Sequence, residues 1–251
     1  MEAKKIIITG SATRIGAAIA KSLASNNTQI SLHYNKSSKE VKKLKTELEN
    51  LGSKIFLIKA DLTKKSQTKK IISQSYKKMK GLDCLINNAS IFEKDDLNNF
   101  NENCFNKHMI VNLQAPAILT QDFKRHLKSK KGNIINIIDQ RIFKLTPFFF
   151  SYTLSKTGLQ TLTKTTAMKL APNIRVNGVA PGPTIKNKRQ SEKHFRKQWK
   201  SLILKEKVEP KNICETVKYF INNDSITGQI ISVDGGQSLA WQTPDIINTK
   251  E

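Results

Sequence analysis

The feature that most constrains the fold is an alternation of short β-branched runs with longer helical stretches along the 251-residue chain. The runs are KIIIT, TQISLHY, KIFLIKA, DCLIN, NIINII, NIRVNGV and QIISV. Because each helical crossover must return the chain to the same sheet, this order predicts parallel strands with helices on both faces. The sequence therefore predicts an α/β fold with a doubly wound parallel sheet of about seven strands.

No repeat, linker or break in composition divides the chain, so residues 1–251 are predicted to form a single domain of the Rossmann type. Residues 183–212 are polar and highly charged, which favours a segment that covers a substrate. Residues 242–251 are expected to form a tail. In open parallel sheets, ligands bind beyond the carboxyl ends of the strands, so functional motifs are expected directly after strands.

The formal net charge of +23 would suit a nucleic acid or another polyanion. The lysines are spread along the whole chain on predicted helix faces, however, which argues against nucleic acid as a partner. No apolar run is long enough to span a membrane and the start has no signal-peptide pattern, so a cytoplasmic protein is expected. The three cysteines are far apart and predict neither a disulfide framework nor a metal site.

The motif after the first strand is TGSATRIG. Gly10 permits a tight turn and Gly16 permits close helix packing, while free N–H groups at the helix start can hold a pyrophosphate. Arg14 stands where loops of this spacing usually carry another glycine. Its guanidinium is expected to face phosphates or a polar substrate ring.

The second strand is followed by Asn35, Lys36 and Ser37, without the acidic residue that NAD-preferring sites place on the ribose 2′-hydroxyl. A lysine with amide and hydroxyl neighbours suits a 2′-phosphate, which favours NADPH over NADH. After the third strand come Asp61 and Leu62, where the carboxylate could accept from an adenine amine or cap a helix.

The fourth strand ends in INNASIF. Asn88 and the small Ala89 let the backbone approach a cofactor, and the aromatic Phe92 could stack on a flat ring. Asn112, in HMIVNLQAP, is either a satisfied core amide or a member of a proton relay.

Tyr152 and Lys156 lie four residues apart at the start of the helix after the fifth strand, hence on one helix face. Tyr76 and Lys80 share this spacing, but no strand end precedes them. A nearby ammonium would favour the phenolate and lower the pKa of Tyr152, which fits this residue for proton transfer while a hydride moves at a nicotinamide.

Taken together, TGSATRIG, the NNAS run, Asn112, YTLSK, IRVNGVAPGPT and ITGQIISVDGG resemble the short-chain dehydrogenase/reductase family over nearly the whole chain. In that family a serine usually precedes the tyrosine by thirteen residues, and this chain has Asp139 there. Asp139, Arg14, the HYNKS segment and Ser90 with Phe92 resemble the pteridine reductase branch, which includes bacterial dihydropterin and dihydrofolate reductases.

The resemblance implies NADPH-dependent reduction of a pterin C=N bond, with Phe92 and the nicotinamide sandwiching the ring. Tyr152 would donate the proton, resupplied through Asp139. Lys156 would bond the nicotinamide ribose, and Asn112 would support a water near it. The implied catalytic residues are Asp139, Tyr152, Lys156 and Asn112. The implied substrate contacts are Arg14, Ser90, Phe92, Asp139 and Tyr152. The expected cofactor contacts are Gly10, Arg14, Ile15, Asn35, Lys36, Ser37, Asp61, Leu62, Asn88, Ala89, Tyr152, Lys156, Pro181 and Gly182.

Two alternatives stay open. The first is a carbonyl reductase of the same family, acting on ketoacyl or sugar substrates. The second is a basic protein that keeps the fold and binds a polyanion without turnover. By family analogy a homotetramer is expected, built through long helices at 101–128 and 150–171.

Overall fold

The computed structural model describes residues 4–187 and 189–241. Seven strands form one parallel sheet in the order β3-β2-β1-β4-β5-β6-β7. They are β1 (Lys4–Ile8), β2 (Thr28–Tyr34), β3 (Lys54–Lys59), β4 (Cys84–Asn87), β5 (Gly132–Ile137), β6 (Ile174–Pro181) and β7 (Ile230–Val233). The predicted sheet is thus confirmed. The predicted tail at 242–251 lies outside the described residues, as does one position within 183–212.

The helices fill the crossovers between the strands. They are α1 (Arg14–Leu23), α2 (Ser38–Asn50), α3 (Lys65–Met79), α4 (Glu102–Met109), α5 (Ala115–Leu127), α6 (Phe150–Leu170), α7 (Glu192–Lys200) and α8 (Pro210–Asn222). Short helical turns at Ile110–Gln114, Gln140–Ile142 and Gln237–Leu239 complete the elements.

Two apolar cores lie on opposite faces of the sheet because successive strand residues point to opposite sides. On β1, Ile6 and Ile8 enter the core under α1, α2 and α8, whereas Ile7 enters the core under α3 and α5. With both faces covered by helices, the strands read as continuous apolar runs, which is the pattern that the sequence presents.

The order of strands reverses between β1 and β4. From β1 the chain winds outward to β3, and from β4 it winds the other way to β7. The loops that leave the carboxyl ends of β1 and β4 therefore diverge, and a crevice opens between them. The motifs after these two strands border that crevice.

The helix predicted at 101–128 is confirmed in its extent, since helical turns run without a break from Glu102 to Leu127. The α-helical turns of α4 and α5 are separated by a π-helical turn at Ile110–Gln114. Such a turn inserts an extra residue into the helix, and it often accompanies a functional site. The helix predicted at 150–171 matches α6 closely. The homotetramer that these helices would build stays a prediction.

Within the described residues, no helix is both long enough and apolar enough to cross a membrane.

Truncating Phe123 tests the core between the sheet and helices α3 and α5, because the ring of this α5 residue is fully buried there. Phe123→Ala should lower the free energy of unfolding by about 3–5 kcal/mol through lost burial and the cavity left behind. Met168→Ala is the control, since that side chain on α6 is 73% exposed, and its effect should stay within about 0.5 kcal/mol. Urea unfolding followed by circular dichroism measures both, and equal losses would contradict the packing described.

Candidate functional site

The turn between β1 and α1 requires a residue without a side chain at its first position. Gly10 has a φ of +59°, and a Cβ there would lie 2.8 Å from the Cα of Ala89. The side-chain amide of Asn88 donates to the carbonyls of Thr9 and Gly10 at 2.8 and 3.0 Å. The loops after β1 and β4 are thereby fastened to each other at the floor of the crevice.

The turn is also held from β2. The backbone N–H of Gly10 donates to Nδ1 of His33 at 3.1 Å, and Nε2 of the same ring donates to the carbonyl of Ala60 at 3.1 Å. Burial lowers the pKa of His33 to about 4, so the ring is neutral and can accept the Gly10 bond. Sequence reasoning missed this residue, whose only signal was a histidine inside an apolar strand.

A single cleft of about 1000 Å³ opens above this floor. It is lined by all of the predicted cofactor and substrate residues, from the turn after β1 to Pro181 and Gly182 after β6. Asn112 is the one predicted site residue that does not line it. The tertiary structure thus brings together segments that lie more than 170 residues apart in the chain.

Arg14 crosses the mouth of this cleft. Its φ is +56°, in the left-handed region that usually favours glycine. Its guanidinium donates to the carbonyls of Ile185 and Lys186 at 2.9 Å each. Arg14 therefore ties the first turn to the segment predicted to cover the substrate, and a contact with phosphate or substrate stays a prediction.

The structure contradicts one of the two interpretations of Asp61. Its Oδ1 accepts from the backbone N–H and the hydroxyl of Thr63 at 2.9 and 2.7 Å, whereas α3 begins at Lys65. The helix-capping interpretation is therefore wrong. The hydrogen bonds from Thr63 lower the pKa of Asp61. The carboxylate borders the cleft, where an adenine contact stays a prediction.

The chemical centre lies where β5 ends and α6 begins. The hydroxyl of Tyr152 donates to Oδ2 of Asp139 at 2.8 Å. Nζ of Lys156 donates to the carbonyl of Ile137 at 2.9 Å and lies 5.7 Å from the centre of the Tyr152 ring. Both side chains are buried, and Lys156 is 2% exposed. The carboxylate thus sits in direct contact with the phenol, as an acceptor for its proton.

The predicted lowering of the Tyr152 pKa is wrong. Burial raises this pKa well above its usual value, and the charge and hydrogen bond of Asp139 raise it further, while Arg141 opposes them. The pKa that falls is that of Lys156. Burial lowers it to about 8, and the charge of Asp139 offsets part of that shift. The sequence showed the lysine at the expected spacing, but it could not show how deeply the two side chains are buried from solvent.

Arg141 is a further site residue that sequence reasoning missed. Its backbone N–H donates to Oδ1 of Asp139 at 2.9 Å, and its guanidinium lies 3.4 Å from the same atom. The guanidinium also packs against the rings of Phe92 and Phe149, with its carbon 5.3 and 5.1 Å from their centres. The available signal was its place two residues after Asp139 in a chain with few arginines.

Phe92 forms one wall of the cleft beside the tyrosine. Its ring stacks on Phe149 with centres 4.4 Å apart and meets Tyr152 edge-on at 4.6 Å. The guanidinium carbon of Arg189 lies 5.6 Å from the Phe92 ring centre. We call the rings of Phe92 and Phe149 the aromatic shelf. Flat, delocalised groups already pack against it.

Asn112 holds the shelf segment in place. Its Oδ1 accepts from the Ile91 N–H at 2.9 Å and from the hydroxyl of Ser90 at 3.2 Å. Its Nδ2 donates to the Ile91 carbonyl and to the Ser155 hydroxyl at 3.1 and 3.0 Å. These contacts match the first of the two interpretations, a satisfied core amide, and the π-helical turn aims it there. The relay role stays a prediction.

Asp95 caps α6, the helix that carries Tyr152. Its carboxylate accepts from the backbone N–H and the hydroxyl of Ser151, and its carbonyl accepts from the Phe149 N–H at 2.7 Å.

Ligand atoms of Asp95, Cys104 and His108 lie within 4.8 Å of one another, a spacing that a metal ion could use. The cap occupies the carboxylate, and both ring nitrogens of His108 are already hydrogen-bonded.

The segment predicted to cover the substrate does border the cleft. Its residues from Pro183 to Gln198 contribute part of the lining, including side chains of α7. Nη2 of Arg189 donates to the carbonyl of Phe92 at 2.7 Å, which joins the segment to the aromatic shelf. The segment therefore spans the cleft from Arg14 on one side to Phe92 on the other.

A family model described as short chain dehydrogenase matches residues 4–197. The chain belongs to this family. It is an oxidoreductase of the short-chain dehydrogenase type, in agreement with its parallel sheet and with Tyr152 and Lys156 at the cleft.

Two solved structures show where within the family the similarity is high. FolM alternative dihydrofolate reductase 1 from Brucella suis, crystallised in complex with NADP, is 40% identical, with a TM-score of 0.93 over 96% of this chain and 98% of that one. The Brucella canis protein of the same description, also complexed with NADP, is 41% identical, with a TM-score of 0.92 over 96% of both chains. The resemblance to folate reductases is thereby confirmed.

Relatives with other activities are also similar. The 3-oxoacyl-[acyl-carrier-protein] reductase FabG of Buchnera aphidicola is 32% identical over 94% of this chain and 98% of its own length. The family is therefore shown by several relatives, and the substrate has to be argued from the site.

The depressed pKa of Lys156 makes stability depend on pH in a defined window. Between about pH 8 and pH 10 the unfolded chain keeps a proton on this lysine that the folded chain has lost, so stability rises with pH. Above about pH 10 the raised pKa of Tyr152 reverses the trend, because the unfolded tyrosine then loses its proton first. Lys156→Met should reduce the increase in the free energy of unfolding between about pH 8 and pH 10 by roughly 2 kcal/mol.

Urea unfolding at several pH values, with the variant curve subtracted from the wild-type curve, measures this effect. Lys164→Met, on the outer side of the same helix, is the matched control. Parallel curves for the wild type and Lys156→Met would show that the lysine is not held in a dry site.

Proposed function

We propose that this chain is an NADPH-dependent reductase of the C=N bond of a pterin ring, as present in a dihydropterin or dihydrofolate. The observation that carries the proposal is the bond from the Tyr152 hydroxyl to Asp139 beside the aromatic shelf. A buried proton donor with a carboxylate behind it suits protonation of a ring nitrogen. The shelf suits a flat heterocycle.

The donors of this site fit the dinucleotide that the Brucella structures contain. The side chain of Thr13, the residue before α1, does not cap the helix, so the first backbone N–H groups can face a pyrophosphate at the edge of the cleft. At the end of β2, Asn35, Lys36 and Ser37 line the cleft and offer an ammonium and neutral donors to a 2′-phosphate. These features support NADPH over NADH. When bound, the dihydronicotinamide supplies the hydride for the ring carbon.

Tyr152 supplies the proton in this proposal. Its hydroxyl releases a proton to the ring nitrogen, and the O–H bond that breaks leaves a phenolate. Asp139 lies 2.8 Å away with its side chain 16% exposed at the cleft, so it can pass a proton from solvent back to the tyrosine. The raised pKa of Tyr152 keeps its hydroxyl protonated near neutral pH, as a proton donor requires.

Lys156 stabilises the phenolate as it forms. With a pKa of about 8, the lysine is mostly protonated at neutral pH, and its ammonium lies near the tyrosine ring. In a buried site, a nearby opposite charge is worth far more than at the surface. The Ile137 carbonyl fixes its position.

Substrate turnover tests the proposal against the carbonyl-reductase alternative, which the similarity to a 3-oxoacyl reductase keeps open. Oxidation of NADPH is followed by its absorbance with dihydrobiopterin, dihydromonapterin, dihydrofolate and an acetoacetyl thioester, with NADH as the cofactor control. Turnover of the pterins with NADPH and little of the thioester is expected. Thioester reduction without pterin turnover would overturn the proposal, and no turnover at all would favour the polyanion-binding alternative.

Removing the phenol should abolish the chemistry and leave cofactor binding in place. Tyr152→Phe should lower kcat with the pterin by about 10²–10⁴-fold, the usual contribution of a general acid, while the Kd of NADPH measured by fluorescence stays close to the wild-type value. Tyr76→Phe is the matched control, because Tyr76 also has a lysine four residues on but lies in α3. Unchanged pterin turnover in Tyr152→Phe would refute the acid assignment.

The role of Asp139 is tested by Asp139→Ser and Asp139→Asn together. The asparagine can still accept a hydrogen bond from Tyr152 but cannot carry a proton, and the serine matches the usual family residue. Both variants should lose pterin kcat by about 10²-fold or more. Pterin turnover that survives undiminished in either variant would remove the proton-relay role.

A further inference from the structure

Helix α7 is a wall shared by two depressions in the surface. His194, Phe195 and Gln198 line the cleft. The other side of the helix lines a shallow groove through Lys193, Arg196 and Trp199. Helix α7 therefore separates the cleft from the groove, and His194 on the cleft side lies about one turn from Lys197 on the groove side.

Four cations of this helix follow the spacing of a single helix face. Lys193, Arg196, Lys197 and Lys200 are separated by three, one and three residues, and all four are exposed. We call them the α7 cation stripe. Glu192, the acid of the same helix, pairs with Lys186 at 2.6 Å. In the part of the chain that the structure describes, no ion pair includes a member of the stripe.

The arginines distinguish this surface from the lysine-rich background. Six of the 43 basic residues are arginine, and four of these lie at the cleft or in the groove. The four are Arg14, Arg141, Arg189 and Arg196. The remaining two form ion pairs with aspartates elsewhere in the fold. Lysine is spread over the chain, whereas arginine, the better partner for carboxylates, is concentrated here.

A continuous set of contacts leads from the aromatic shelf to helix α7. Arg189 bonds the carbonyl of Phe92 at 2.7 Å and lies over its ring. The next residue, Gln190, donates from Nε2 to Oε1 of Gln198 on α7 at 2.9 Å. A substituent attached to a ring on the shelf would thus meet Arg189 first and α7 next.

We propose that the α7 cation stripe binds the poly-γ-glutamate tail of a folate. This inference rests on the proposed function and narrows it, because it assigns a polyglutamylated dihydrofolate as substrate in preference to an unconjugated pterin. Each glutamate adds one carboxylate on a flexible chain, which suits a row of exposed cations. The groove extends along one nine-residue helix, about 13 Å, which fits such a tail better than the broad contact surface of a nucleic acid.

The triple variant Lys193→Gln, Arg196→Gln and Lys197→Gln tests the stripe. The matched control is Lys69→Gln, Lys70→Gln and Lys77→Gln on α3, which removes the same charge from exposed lysines that line neither the cleft nor the groove. Binding of p-aminobenzoyl-pentaglutamate is followed by tryptophan fluorescence, since Trp199 lies in the groove. The stripe variant should bind about tenfold more weakly at low salt, as expected for three exposed ion pairs, and the control should bind like the wild type.

Kinetics provide the second measurement. For the wild type and the control, the KM of dihydropteroyl-pentaglutamate should be about tenfold below that of the monoglutamate. In the stripe variant the two KM values should converge. Equal KM values in the wild type, or the same loss of tail binding in the α3 control, would overturn the proposal.

The two measurements separate failure of the stripe from failure of the proposed function. Tail binding that depends on the stripe, without turnover of any dihydrofolate, would contradict the reductase proposal alone. Turnover of dihydrofolate without stripe-dependent tail binding would contradict the tail site alone. A short single-stranded RNA that binds the stripe as tightly as the tail would show a general polyanion surface and overturn the assignment to folate.

Discussion

The fastening of the loop after β1 to the loop after β4 is the constraint on which the rest of the site depends. At this point the strand order reverses, so the two loops would separate without a bond between them. The Asn88 amide reaches the Thr9 and Gly10 carbonyls, and neutral His33 holds the Gly10 N–H from the other side. The crevice thus keeps a fixed floor, with a helix start on one side and the chemical centre on the other.

At the chemical centre, burial controls the charges. Tyr152 and Lys156 are withdrawn from water, which favours the neutral form of both groups, and the Asp139 carboxylate favours a proton on each of them. The phenol therefore stays protonated near neutral pH. This arrangement differs from a tyrosine that a neighbouring lysine keeps partly ionised.

Contacts between distant parts of the chain hold the charged segment across the cleft. Arg14 bonds the carbonyls of Ile185 and Lys186, and Arg189 bonds the Phe92 carbonyl, so the charged segment after β6 is attached on both sides. Arg141 joins the carboxylate to the aromatic shelf. Arginine can serve these places because its planar group donates several hydrogen bonds and also packs on rings.

The sequence by itself determined the sheet, its strand ends and most of the residues around the cleft. Those predictions rest on local patterns: β-branched runs, a glycine turn before a helix, and a tyrosine and lysine on one helix face. The tertiary structure decided which atoms face each other. Asn112 forms its hydrogen bonds with Ile91 and Ser155, and Asp61 forms its hydrogen bonds with Thr63. Folding also brings Arg141, Arg189 and His33 to the site. It also reversed the expected pKa shift of Tyr152, because burial depends on packing between segments that are far apart in the chain, and no local pattern records it.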